Sequence, residues 1–86
     1  MSTTKEQEEG LVRAFSKVML EKLAKNRDRK GHWSRTSLGY LTGRVHDEAR
    51  ELSRAVQRGA PPEEIAREAA DVANFAAMVA RVAGGI

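Results

Sequence analysis

The chain contains no cysteine. That excludes a disulfide scaffold, a zinc ribbon and thiol catalysis, and it fits a reducing, intracellular setting. It also lacks any apolar run approaching the ~20 residues that cross a bilayer. Its opening residues, MSTTKEQEEG, are polar and acidic, with no apolar signal-peptide region. The expectation is a cytoplasmic protein with no membrane partner. No strand pattern and no internal repeat is present, and tryptophan and tyrosine occur once each. With 86 residues the chain is one domain at most. A chain this short buries only about 60–65% of its extended surface, so its core is thin and association helps it.

What the chain has is charge and helical periodicity. The formal net charge is +3, with acids and bases interspersed as on a solvated helical surface. Only Lys22 to Arg35, KLAKNRDRKGHWSR, is locally basic. A single aromatic and several neighbouring acids make that run a solvated face rather than a nucleic-acid contact.

Residues 1–5 read as a frayed tail and 6–86 as a single domain. A first helix is expected from about Glu6 to Asn26, with Leu11, Phe15, Val18 and Leu23 in one stripe and Ala14 and Met19 beside it. Gly10 weakens the first turn by roughly 1 kcal/mol relative to alanine, which would move the start toward Leu11. Residues 27–37 carry no periodicity and read as a loop, with Thr36 or Ser37 as the N-cap of a second helix, Leu38 to Arg58. Leu41, Val45, Leu52 and Val56 form its apolar line, and Gly59 stops it. Pro61 and Pro62, followed by Glu63 and Glu64, open a third helix that runs to about Ala83. The fold class is all-α: a three-helix subunit whose short second turn makes helices two and three antiparallel.

Carboxylates interrupt these apolar lines. Glu48 and Glu51 stand three apart on helix two, and Glu48 continues the stripe of Leu41, Val45 and Leu52; Asp47 can lean in from the side. Glu68 and Asp71 stand three apart on helix three, with Asn74 a further three along. Each pair is about equally far from the connecting turn, so antiparallel packing brings the pairs face to face. Four or five converging carboxylates repel one another, and a hard divalent cation, Mg²⁺ or Mn²⁺, is the usual resolution. The plain alternative is surface decoration, because E-x-x-E patterns arise easily in a chain with this much charge.

Glu48-x-x-Glu51, sixteen intervening residues and Glu68-x-x-Asp71, followed by VANFAAMVA, resemble the signature of the MazG-like all-α nucleoside triphosphate pyrophosphohydrolases. The likeness runs from Trp33 to about Val82, and EAADVANFAAMVA is especially similar to short, phage-type members. The resemblance implies that Glu48, Glu51, Glu68 and Asp71 hold two or three Mg²⁺ ions, with Mn²⁺ as a substitute. A (deoxy)nucleoside triphosphate would be cleaved to the monophosphate and pyrophosphate, with Glu48 or Glu51 as general base. Many members carry Glu where this chain has Asp47, and an Asn near the substrate matches Asn74. The resemblance further implies a four-helix-bundle-type site completed by oligomerisation, as a dimer or as a tetramer made of two dimers. A phage-encoded member would work in the host cytoplasm.

Lys30, Arg35, Arg44 and Arg54 are candidate partners for phosphate charge. Trp33 reads either as a wall stacked on a base, favouring a purine such as that of dGTP or dATP, or as a lid over a thin core. Tyr40, Phe75 and Met78 read as packing, and His32 and His46 as solvent-facing or structural. His46-Asp47-Glu48 lacks the second histidine that zinc peptidases place at i+4; Arg50 stands there. A helical dimeric interaction or nucleic-acid-binding module without catalysis is the competing function.

Overall fold

The computed structural model describes residues 2–27 and 32–86. Among the described residues three α-helices make up the fold: α1, Lys5–Lys25; α2, Leu38–Gln57; and α3, Pro62–Val82. A single 3-10 turn, Trp33–Arg35, stands in the segment expected to be a loop. No strand occurs among the described residues.

Helix α1 begins at Lys5, within one residue of the expected Glu6 and not near Leu11, with Thr4 as its N-cap. The Thr4 hydroxyl accepts from the Gln7 amide at 3.1 Å, and the Gln7 side chain accepts from the Thr4 amide at 2.8 Å. This reciprocal capping box satisfies two amides of the first turn and offsets the weakness of Gly10. Ser37, not Thr36, caps α2 by accepting from the Tyr40 amide at 3.1 Å.

The α2–α3 connection is set by backbone bonding. The Gly59 amide donates to the Val56 carbonyl at 3.1 Å, and the Ala60 amide to the Ala55 carbonyl at 2.9 Å. Those are the two bonds of a Schellman ending, and Gly59 takes the left-handed conformation it needs, φ +69°. Pro62 then opens α3 in the first turn, and Arg58 pairs with Glu64 across the bend. The result is a helical hairpin. Its interior is Leu41, Ala55, Ala60 and Ala70, nearly all alanine, which allows the two backbones to approach closely.

Helix α1 packs on α3 and not on α2, and it has no fully buried residue. Leu11, at 70% exposure, and Val12 and Leu20 beside it lie open. The accessible surface is 6609 Å², against about 5000 Å² expected for a compact chain of this mass. The Cα radius of gyration, 14.0 Å, likewise exceeds the roughly 12 Å of a compact domain of this length.

Candidate functional site

Two matching seams build the site. On α2, Leu41, Val45, Glu48, Leu52 and Ala55 repeat at alternating steps of four and three; on α3, Glu64, Glu68, Asp71, Phe75 and Met78 do the same. Such spacing keeps each set on one line of its helix, so Glu48, Glu68 and Asp71 converge when the hairpin closes. One oxygen from each of these three carboxylates lies within 4.8 Å of the others.

The crowding has an electrostatic signature. The Glu48 carboxyl is pushed above its ordinary value of 4.5, first by burial and then by the charges of Asp71, Glu68 and Glu51, while Arg44 opposes the rise. The Arg44 guanidinium sits 2.7 Å from a Glu48 oxygen and 3.3 Å from Asp47, with its flat face 5.1 Å from the Phe75 ring centre. On the other side Lys22 of α1 reaches Asp71 at 3.3 Å, both side chains being only 18% exposed. Among the described residues Glu68 has no ion pair.

Glu48 and Asp71 line a cleft of about 1070 Å³ whose walls also carry Lys22, Lys25, Arg27 and Arg44. Trp33 and Tyr40 stand on the same cleft. A smaller, mainly apolar recess of about 210 Å³ shares Trp33 and adds Met19, Asn74 and Arg81. Asn74 is 5% exposed, and its amide donates to the Met19 carbonyl at 3.1 Å, while its Oδ1 is buried without a partner.

The residues read from the sequence fall into distinct groups. Glu48, Glu68 and Asp71 come together. Glu51 stays outside the cluster: it is 52% exposed and pairs with Arg54 at 2.7 Å, although its charge still raises Glu48. Asp47 bridges Arg44 and Arg50 on the flank of α2. Arg35 is exposed and away from the cleft lining, and Lys30 lies outside the described residues. Trp33 is half-buried, its ring stacked on His32 with centroids 5.0 Å apart. Tyr40, expected to pack, is mostly exposed on the cleft. Phe75 and Met78, also expected to pack, are half-buried and line it.

Lys22, Lys25 and Arg27 line the cleft without having been candidates from the sequence, and of these Lys22 alone touches the carboxylate cluster. Its signal was present, since position 22 continues the α1 stripe of Leu11, Phe15 and Val18. A lysine on an apolar line asks for a buried partner just as a glutamate does.

Three carboxylates with no sulfur or imidazole among them are a hard donor set, suited to Mg²⁺ or Mn²⁺. Oxygens around one octahedral Mg²⁺ stand about 3.0 Å apart when adjacent and about 4.2 Å when opposite, so the three carboxylates would have to draw together on binding, by side-chain rotation. The Asn74 oxygen, one turn beyond Asp71 on α3, is a buried acceptor without a partner, and Asn74 lines the smaller recess. The residues fit a divalent cation.

Comparisons with protein-family models, with characterised proteins and with solved structures found no match to this chain.

Proposed function

We propose that the chain is a divalent-metal-dependent hydrolase of a (deoxy)nucleoside triphosphate, releasing the monophosphate and pyrophosphate. The observation that carries this reading is the three-carboxylate cluster, two of whose members, Glu48 and Asp71, line a cleft whose walls hold four cationic side chains. Acidic groups alone repel phosphate, and basic groups alone hold it without activating water. Both together suit a polyanion bridged to the protein by metal.

Glu48, Glu68 and Asp71 would hold the cation, with Glu51 a fourth carboxylate one turn away on α2. Bound there, Mg²⁺ or Mn²⁺ supplies charge neutralisation and an acidified water. Lys22, Lys25, Arg27 and Arg44 meet phosphate oxygens, and Trp33 gives a flat wall for a base, with a purine offering the larger stacking surface. The apolar surface left open on α1 supports self-association. The excess over a compact monomer is about 1600 Å², more than the roughly 800 Å² each partner contributes to a standard interface.

The competing reading is a helical interaction module in which the same charges are only a clamp. The Lys22–Asp71 pair, tying α1 to α3, is the observation that favours it. A product assay separates the two. The eight common NTPs and dNTPs are incubated with Mg²⁺ or Mn²⁺ and the products resolved by ion exchange. The hydrolase reading expects monophosphate and pyrophosphate from at least one nucleotide, lost in Glu48→Gln and Asp71→Asn. Folded protein that turns over none of them, and that gains no stability from either metal, is the clamp.

A further inference from the structure

Lys22 belongs to neither seam of the hairpin. It comes from α1, the helix with no buried residue, yet its side chain is only 18% exposed and its ammonium lies 3.3 Å from Asp71. A lysine so placed is stable only while it has an anionic partner. A divalent cation taken up by Asp71 would compete for that partner and place two like charges side by side. A polyanion arriving with the cation removes the conflict, because Lys22 also lines the cleft and can turn to a phosphate oxygen. Arg44 is differently placed: when Glu48 is engaged it keeps Asp47 and the Phe75 ring. Among the described residues Lys22 has Asp71 alone.

We propose that Lys22 makes cation and polyanion binding interdependent. It competes with a bare divalent cation at Asp71 and contributes to holding a cation that arrives with phosphate. This rests on the metal reading above and assigns Lys22 a positioning role that a clamp alone does not require.

The test uses two probes on the full chain at low salt: Mn²⁺ alone, followed by the spin resonance of free ion, and the preformed Mn²⁺–pyrophosphate complex, followed by calorimetry. In Lys22→Met, bare Mn²⁺ should bind roughly fivefold tighter and the complex several-fold weaker than in the parent chain. The opposite signs are the point, since simple loosening of α1 would shift both the same way. Lys22→Arg, which keeps the charge, should stay close to the parent values for both probes. It also guards against a Met variant that folds poorly.

If Lys22→Met binds bare Mn²⁺ no tighter than the parent while Asp71→Asn abolishes binding, the interdependence is wrong and the metal site stands. If none of the chains binds Mn²⁺, the interdependence and the metal reading fall together. If Lys22→Arg tightens Mn²⁺ as much as Lys22→Met does, charge is not the cause and the inference is overturned.

Discussion

The α2–α3 hairpin and α1 are built from similar amounts of helix, but they solve the burial problem differently. The hairpin closes on itself, with a Schellman turn, an interior of alanines around Leu41 and two carboxylate-bearing seams that face each other. Helix α1 is well capped at its start and joined to α3 by Lys22–Asp71 and by the Asn74 amide on the Met19 carbonyl. It nevertheless leaves Leu11, Val12 and Leu20 in water. Local helical signals are thus complete in both regions, while the buried residues, among those described, all lie in the hairpin. Local capping decides where a helix starts; only packing decides how firmly it is held.

The largest effect should come from breaking the hairpin. Among the described residues Leu41 is the one large side chain fully enclosed, so Leu41→Ala should cost about 2–4 kcal/mol in urea unfolding. Leu20→Ala on α1 should cost under ~1 kcal/mol in the isolated chain, since most of that side chain is already hydrated. A Leu20→Ala cost as large as that of Leu41→Ala, or one that grows with protein concentration, would show that a second copy covers α1 and would erase the contrast.

The same contrast explains what was legible from the sequence. Helix existence and the hairpin followed from stripes, proline and glycine, which act locally. The gathering of Glu48, Glu68 and Asp71 was legible because each interrupts an apolar line at the same distance from a short turn. Glu51 was harder, since three-residue spacing places it on the flank of α2, where Arg54 takes it up. The start of α1 near Glu6 was legible, but Gly10 does not shift it toward Leu11, because the Thr4–Gln7 box holds the first turn. Lys22 was missed because its partner comes from a helix distant in sequence, and no local pattern announces which helix α1 lies against.

Metal should sharpen the contrast from the hairpin side. At a free Mn²⁺ or Mg²⁺ concentration 100 times its dissociation constant, unfolding should cost about 2.7 kcal/mol more than without metal. That gain should vanish in Asp71→Asn and Glu68→Gln, which sit on the cluster, and survive in Leu11→Ser on α1. Retention of the gain in Asp71→Asn, read by thermal midpoint, would mean the ion binds elsewhere.

The caps should show smaller effects, each on its own region. Gly59→Ala forces a side chain into a left-handed backbone and should cost the hairpin roughly 1–2 kcal/mol. Thr4→Ala should cost about 1 kcal/mol. By hydrogen exchange, that loss should appear as faster opening of the α1 amides with the α2 and α3 amides unchanged. If both helices of the hairpin open faster as well, α1 and the hairpin are one cooperative unit.

The smallest effect concerns pH, and it asks which region governs Glu48. Its carboxyl is raised in the folded chain, so between its ordinary value of 4.5 and the higher folded value the folded state holds the proton more tightly than the unfolded one. Stability at this group should therefore fall as pH rises through that window, and stay at its lower level above it. Glu48→Gln should remove this slope. Asp71, Glu68, Glu51 and Arg44, which set the shift together with burial, all lie on α2 or α3, whereas Lys22 faces Asp71 from α1. Arg44→Met removes the cation that holds Glu48 down and should extend the window upward, while Lys22→Met should leave its upper edge nearly in place. The measurement is the proton titration of Glu48 by carbon NMR in the three chains. A shift in Lys22→Met as large as that in Arg44→Met would mean that α1 reaches into the electrostatics of the hairpin, so that the two regions function as one site.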